Sequence, residues 1–391
     1  MAFKSGCAEQ ERANVKTYAF GIIGCGLMGR EFASAAARWC HFTTDVPKPE
    51  IIAVCDVNPA NTTWFVQHVP TIRQVYADYR DLLADPAIDV VYIAVPHILH
   101  EEIFVAAIRA GKHIMGEKPF GMDQAQNAAI MQALAENPQV FARCSSEFPF
   151  FPAMQLLIRW IQEERFGRIL EIKAGFCHSS DMDVNKTINW KRQAAVNGAY
   201  GCLGDLGIHA EHVPFRMGFI PRSVYARLDK FITQRPDGKG GLAACDTWDN
   251  GTMICETQGR DGHPFTMYLE TKRMAPGQTN TWYFEIYGMK ASARFSSAHP
   301  NQFSYTVDWG KEQAWASLDI GYKPMIPVIT GPIFEFGFTD AILQMWGAFM
   351  LELDGQPVTF GCFTPEETVL SHALQTASLE SHASHAAIEV K

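Results

Sequence analysis

The stretch YAFGIIGCGLMG, Tyr18 to Gly29, decides the fold. A short apolar run ends in Gly-x-Gly-x-x-Gly, and the helical pattern LMGREFASAAARW follows without a break. Glycines at 24, 26 and 29 permit a tight turn, close approach of the main chain to a pyrophosphate, and close packing of helix on strand. The amino terminus of that helix favours the anionic phosphates. Gly24, Gly26, Leu27, Met28 and Gly29 are therefore candidate cofactor-binding residues in the first unit of a dinucleotide-binding domain.

Outward from this turn, short apolar runs alternate with helical patterns up to about residue 145: IIAVC (51–55), VVYIAV (90–95), KHIMG (112–116) and QVFARC (139–144). Strands buried on both faces have this composition, and helices between them imply parallel crossovers. From about residue 168 longer strand patterns succeed one another, among them RILEIKAGF, RSVYARLDKFI, PFTMYLET and TWYFEIYG. AACDTW and TMICET flank Asn250-Gly251, whose tolerance of positive φ predicts a hairpin turn. The expected fold is α/β: a Rossmann doubly wound parallel sheet over 1–147, followed over 148–391 by an α+β domain with a large, mostly antiparallel, open-faced sheet. Helices are predicted near 337–353 and from Thr364-Pro365-Glu366-Glu367, a capping box with proline in the first turn.

A chain of 391 residues with 47% hydrophobic and 19% charged residues has ample material for two cores. A formal net charge of −9 and no Lys/Arg run exclude a general nucleic-acid binder. Ten cysteines without a CxxC pair read as reduced, packed thiols and as no metal site. The opening MAFKSGCAEQERANVKT has no apolar core of a signal peptide, and no long apolar run follows, so a cytoplasmic protein without a membrane partner is expected.

The second strand ends at Cys55-Asp56, and an acidic residue there can accept hydrogen bonds from both hydroxyls of an adenosine ribose. It would repel a 2′-phosphate, and VNPAN supplies no arginine to offset this, so NAD is favoured over NADP. Asp56 could instead merely start the turn before the next helix. GEKPF (116–120) closes the strand KHIMG, which aims Glu117 and Lys118 into the crevice at the carboxyl ends of the strands. A lysine there, partly desolvated and near an oxidised nicotinamide, is expected to have a lowered pKa suited to acid/base work. A surface Glu-Lys pair in a turn is the plainer alternative.

The order GCGLMG, AVCD, VYADYRDLLADPAIDVVYIAVPHILH and AGKHIMGEKPF resembles the Gfo/Idh/MocA family of NAD(P)-dependent oxidoreductases. The resemblance extends through YFEIYGMKASARF and so over nearly the whole chain. It implies that Lys118 contacts the reacting hydroxyl and the nicotinamide end of the cofactor, and that a D-x-x-x-H pair completes the site. GAYGCLGDLGIHAEH supplies that pair as Asp205 and His209, neighbours on one helix face by their i, i+4 spacing. The resemblance makes His209 the base and Asp205 its orienting partner; taken singly, they could be a helix cap and a core histidine. Val95, Pro96, His97 and His100 resemble the segment beside the nicotinamide ribose and are expected on the cofactor side with Glu117.

Family members often carry an N-x-R-x-x-P segment after the sixth strand. Here the chain reads SEFPFFP (146–152), with Glu147 and Pro149 at the asparagine and arginine positions, which implies an altered or more apolar pocket wall. HSSDMDVNKTINWKRQAA (178–195) offers Trp190, Arg192 and Asp181, with Lys191 and Asp183, as substrate contacts. The reading is an NAD-dependent dehydrogenase or reductase of a secondary alcohol or ketone on a sugar, anhydrosugar or cyclitol. By resemblance it forms a homodimer or homotetramer. A redox-neutral, NAD-retaining glycoside-processing enzyme and a non-catalytic NAD-sensing regulator share the fold and remain as rivals.

Overall fold

The computed structural model describes residues 15–307, 310 and 312–391. Cys7 and most of the segment read for a signal peptide lie outside the described residues. The apolar runs of the first half become strands because both faces are covered: Phe20, Ile22, Val54, Val90 and Val91 are fully buried. In order come β1 (Thr17–Ile23), α1 (Leu27–Ala37), β2 (Lys48–Cys55), α2 (Pro59–His68), β3 (Gln74–Tyr76), α3 (Tyr79–Ala84), β4 (Val90–Ile93), α4 (His100–Arg109), β5 (His113–Gly116), α5 (Gln124–Glu136) and β6 (Ala142–Cys144). They form one parallel sheet ordered β3-β2-β1-β4-β5-β6. Strand order reverses between β1 and β4, which opens a crevice beyond their carboxyl ends.

The chain continues through α6 (Pro152–Gln162), β7 (Ile169–His178), α7 (Ala194–Asn197), α8 (Cys202–Arg216), β8 (Pro221–Asp229), β9 (Gln234–Pro236), β10 (Leu242–Ala244), β11 (Asn250–Gln258), β12 (Pro264–Lys272), β13 (Asn280–Gly288), β14 (Ala291–Ser296), β15 (Gln302–Val307) and β16 (Ala316–Asp319). It closes with α9 (Phe338–Leu353), α10 (Pro365–Ser384) and β17 (Ile388–Glu389). A nine-stranded sheet runs β16-β15-β14-β13-β7-β12-β11-β8-β17, antiparallel except where β7 meets β12. Alternate residues of β11 and β12 are buried, as a sheet covered on one face requires. Helix α8 packs on that face, and α10 runs beside β8. On the other face Lys173 lies over the rings of Tyr268 and Tyr287.

The hairpin expected at Asn250-Gly251 does not form. Both residues open β11, which pairs with β8 on one side and β12 on the other. Gly251 serves close packing instead, since a Cβ there would lie 2.6 Å from Leu203 Cδ2 of α8. The Asn250 side chain brackets one residue, donating to Met274 O at 2.9 Å and accepting from Met274 N at 3.1 Å.

Both closing helices appear where the sequence put them, and they return to the first sheet. Trp346 of α9 stacks on Phe32 with ring centroids 3.7 Å apart and meets Tyr92 edge-on. The α10 capping box is present: Thr364 Oγ1 accepts from Glu367 N at 3.3 Å and the Glu367 carboxylate accepts from Thr364 N at 2.8 Å. Of the nine described cysteines none is in a disulfide, and only Cys40 is exposed. No helix among the described residues is long and apolar enough to cross a membrane.

Candidate active site

The three glycines of the first turn have three different surroundings. Gly24 has φ +99°, and a Cβ on it would lie 2.3 Å from Ala94 O, where β1 meets the end of β4. At Gly29 a Cβ would sit 2.7 Å from Gly24 O, so this residue lets α1 pack on its own turn. At Gly26 a Cβ would meet nothing within 4 Å. Its surroundings are the open end of a cavity of about 990 Å³ that also borders Leu27, Met28, Val95 and Pro96.

Asp56 borders the same cavity. Its carboxylate accepts from Cys25 N at 2.9 Å, Asn58 N at 2.8 Å and Asn61 Nδ2 at 3.1 Å. It therefore starts the turn into α2 and also ties that turn to the glycine loop; the cap of α2 is Asn58. An arginine does stand at this end, Arg80, but Asp78 and Glu102 hold its guanidinium at 3.1 and 2.9 Å. Open space beside Gly26, the free amino end of α1 and an acidic rim suit a dinucleotide without a 2′-phosphate.

The far end of the cavity is built by Lys118 and α8. Tyr92 OH donates to Glu117 Oε1 at 2.7 Å and so holds that carboxylate against β4, still at the cavity wall. Lys118 Nζ donates to Asp205 Oδ1 at 2.9 Å and to Asp205 O at 2.6 Å. Lys191 Nζ reaches both Asp205 oxygens at 3.0 and 3.1 Å, and Arg273 Nη2 reaches Oδ2 at 3.0 Å. Burial would raise the Asp205 carboxyl, but Lys118, Lys191 and Arg273 hold it well below the usual carboxylate range. The expected lowering of Lys118 is reversed. Burial does lower its ammonium, but Asp205 and Glu117 outweigh burial, and the net shift is upward.

His209 lies one turn after Asp205 and borders the cavity. Phe148 and Phe176 meet its ring edge-on at 5.3 and 5.2 Å, and Trp282 Nε1 donates to its carbonyl at 2.7 Å. Burial, reinforced by Lys118, holds the imidazole well below 6.5, so it is neutral at physiological pH. His97 borders the cavity, its Nδ1 3.0 Å from Asn197 O. The altered wall expected from SEFPFFP is present as Glu147, while Phe176, Phe338 and Trp190 give apolar surface and His178 and Asn280 polar edges.

Some expected residues are elsewhere. Arg192 is buried and pairs with Asp181 and Asp249, away from the cavity, because two carboxylates converge on its guanidinium. This knot ties the 178–195 segment to the start of β11, so Arg192 and Asp181 hold the loop and Trp190 and Lys191 face the site. His100 is fully buried, with Nδ1 2.6 Å from Pro119 O and Nε2 2.9 Å from Val95 O, and it braces the chain on either side of the crevice without lining it. Arg273 was not foreseen. Its sole sequence signal is an arginine just past a strand, and only the sheet register brings it to Asp205, 68 residues away.

A parallel sheet with a glycine cradle at its switch point, joined to a cavity that ends in lysine, aspartate and histidine, defines a nucleotide-dependent oxidoreductase. A family model described as an oxidoreductase family with an NAD-binding Rossmann fold matches residues 18–144, and the GFO/IDH/MocA C-terminal domain matches residues 154–294. The chain belongs to the Gfo/Idh/MocA oxidoreductase family and is an NAD-binding enzyme. It is 28% identical over 332 residues to levoglucosan dehydrogenase of Pseudarthrobacter phenanthrenivorans, covering 81% of each chain. It is 29% identical to glucose-6-phosphate 3-dehydrogenase of Bacillus subtilis over 56% of this chain and 59% of that one. A solved levoglucosan dehydrogenase in complex with NADH superposes with a TM-score of 0.85 at 24% identity, over 96% of this chain and all of that one.

Proposed function

We propose that this enzyme transfers a hydride between NAD and a secondary alcohol or ketone on a sugar, anhydrosugar or cyclitol ring. The observation that supports this is the meeting of Lys118, Asp205 and His209 at one end of the cavity that begins at Gly24–Met28. In this reading the glycine turn holds the pyrophosphate, Asp56 the adenosine ribose, and Val95, Pro96, His97 and Glu117 border the nicotinamide half. NAD, when bound, supplies the acceptor for the hydride.

The chain's own groups manage the proton. Lys118 spends two of its three N–H donors on Asp205, which leaves one for the substrate oxygen. A positive charge there stabilises the oxygen as its proton leaves. His209, neutral at working pH, accepts that proton. Asp205 fixes the lysine and, through the first turns of α8, the histidine. Phe176, Phe338 and Trp190 offer flat apolar surface to the C–H face of a ring, while His178, Asn280 and Lys191 offer polar groups to its hydroxyls. The names of the levoglucosan and glucose 6-phosphate enzymes point to the same substrate class. The face of the nine-stranded sheet that carries Lys173, Tyr268 and Tyr287 is the surface we assign to dimer or tetramer formation.

The test is nicotinamide absorbance with NAD and a panel of levoglucosan, glucose 6-phosphate and inositols, run on the native enzyme and on Lys118→Ala. NADH formed from one class and lost in the variant supports the reading. Silence across the panel with NAD demonstrably bound counts against it and for redox-neutral chemistry.

A further inference from the structure

Glu147 occupies the loop in which this chain departs from its family's usual pattern. It follows β6, is buried apart from a small part of its surface, and borders the cavity. Its Oε2 lies 3.8 Å from His209 Nδ1. That nitrogen is itself buried and has no hydrogen-bond partner. A buried donor or acceptor left unpaired costs free energy, and the carboxylate next to it is the obvious means of relief. The partner of one ring nitrogen also decides which proton the other can take. With Nδ1 turned to Glu147, Nε2 is the nitrogen left to meet a substrate hydroxyl.

Two aromatic edges hold the ring in place, and Trp282 fastens the main-chain carbonyl of the residue that carries it. Glu147 borders the open space of the cavity, and closing the gap by about 1 Å reaches hydrogen-bond length. Such contacts are often long before substrate binds and tighten with it.

Resting on the assignment of His209 as base, we propose that Glu147 is its positioning and proton-holding partner, drawing the Nδ1 proton so that Nε2 can take the proton of the alcohol. As the substrate O–H bond breaks, its proton joins Nε2. The Nδ1–H bond breaks in turn, and that proton joins Glu147 Oε2. The carbon loses its hydride with the electron pair to NAD, and the imidazole ends neutral in its other tautomer. Glu147 borders the cavity and returns its proton to water there.

The groups facing the pair set its working range. Glu117 and Lys118 come from the loop after β5, Tyr92 from β4, Asp205 from α8, and Lys191 from the loop before α7. Burial pushes the Glu147 carboxyl up to about 7; Glu117 adds to this and Lys118 opposes it. Burial, Lys118 and Lys191 all disfavour a charged His209, and Asp205 opposes them. An imidazolium without a nearby anion is therefore unfavourable, and the carboxylate provides one.

The experiment compares the native enzyme with Glu147→Gln, Glu147→Asp and His209→Gln in NAD-dependent oxidation of levoglucosan between pH 5.5 and 9. A second measurement needs neither cofactor nor substrate: the His209 ring nitrogens are followed by NMR in histidine-labelled protein across the same range. The expected result is a kcat about 100-fold lower in Glu147→Gln with KM little changed, partial rescue in Glu147→Asp, and loss of the pH limb near 7. His209 is expected with its proton on Nδ1 and with an inflection near 7 that Glu147→Gln abolishes. Native kcat in Glu147→Gln beside a dead His209→Gln overturns this proposal and leaves the base assignment standing. Native kcat in His209→Gln removes both. If levoglucosan is not turned over or the variants do not fold, the native NMR titration decides, and a proton on Nε2 with no inflection near 7 overturns the proposal.

Discussion

Lys118 is bound twice by one residue: its Nζ donates to the Asp205 carboxylate at 2.9 Å and to the Asp205 carbonyl at 2.6 Å. The motif lysine of the first sheet is thus fastened to both the side chain and the main chain of the first turn of α8. The distance between Lys118 and His209 follows from that attachment, because His209 is the next turn of the same helix.

Asp205 also pairs at once with Lys118, Lys191 and Arg273. Replacing it by asparagine keeps the shape and leaves three cations facing each other, so Asp205→Asn should lose about 3–5 kcal/mol of stability at pH 7. The folded pKa is depressed, so this contribution is present above the unfolded value of about 3.9 and is lost only as pH falls through the lower folded value. Denaturant melts should therefore show a deficit that is constant from pH 7 down to 5. A deficit that shrinks across that range would mean the carboxylate is not held by its three partners.

Gly26 and Gly29 separate binding from folding within one motif. Gly26→Ala adds a methyl with nothing within 4 Å, so its melting temperature should stay native while NAD affinity falls by about tenfold (~1.4 kcal/mol) or more. Gly29→Ala forces a Cβ to within 2.7 Å of Gly24 O and should lose ~1–3 kcal/mol of stability. Paired melts and NAD titrations of the two variants check this. Equal destabilisation would remove the cradle assignment of Gly26.

The rim of the adenosine end predicts cofactor choice. Asp56→Asn removes the charge and keeps only one acceptor oxygen, so of Cys25 N and Asn58 N, which bond different oxygens of the carboxylate, one loses its partner. Charge-assisted hydrogen bonds contribute about 1.5–3 kcal/mol, so NAD affinity should fall roughly tenfold or more while NADP gains relative to it. Fluorescence titration with NADH and NADPH measures the ratio. An unchanged ratio would show that Arg80 and its carboxylate partners govern discrimination.

What could be read in the sequence was what lies close together along it. Gly24, Gly26 and Gly29 form one turn, and Asp205 and His209 one helical turn, so their spacing already contains their geometry. Arg273 joins Asp205 only after β12 pairs with β7, and no spacing encodes that meeting. The raised Lys118 has the same origin, since its cause is a carboxylate 87 residues away. Asn250-Gly251 misled for the opposite reason: turn propensity is local, and the approach of β11 to Leu203 claimed the glycine for packing. Trp190 to Arg192 show how fine the limit is, because neighbouring polar residues point to opposite fates and burial against Asp249 chose between them.

Glu211, two residues after His209, gives a pH-dependent stability of its own. It is fully buried between α8 and α10 and accepts from Ser371 Oγ, while its Oε1 and Gln375 Oε1 have no partner. Burial pushes its carboxyl from 4.5 up to about 8, and Ser371 and Gln375 only moderate this. With the folded value raised, the stabilising contribution is complete below 4.5 and is lost progressively as pH rises to about 8. Glu211→Gln is neutral throughout, and its amide can donate where the carboxylate cannot. The variant should match the native protein near pH 4.5 and overtake it steadily up to pH 8, with no further gain above. Thermal melts from pH 4.5 to 9 check the sign, and a variant less stable at pH 8 than the native protein would show that Glu211 is held as an anion.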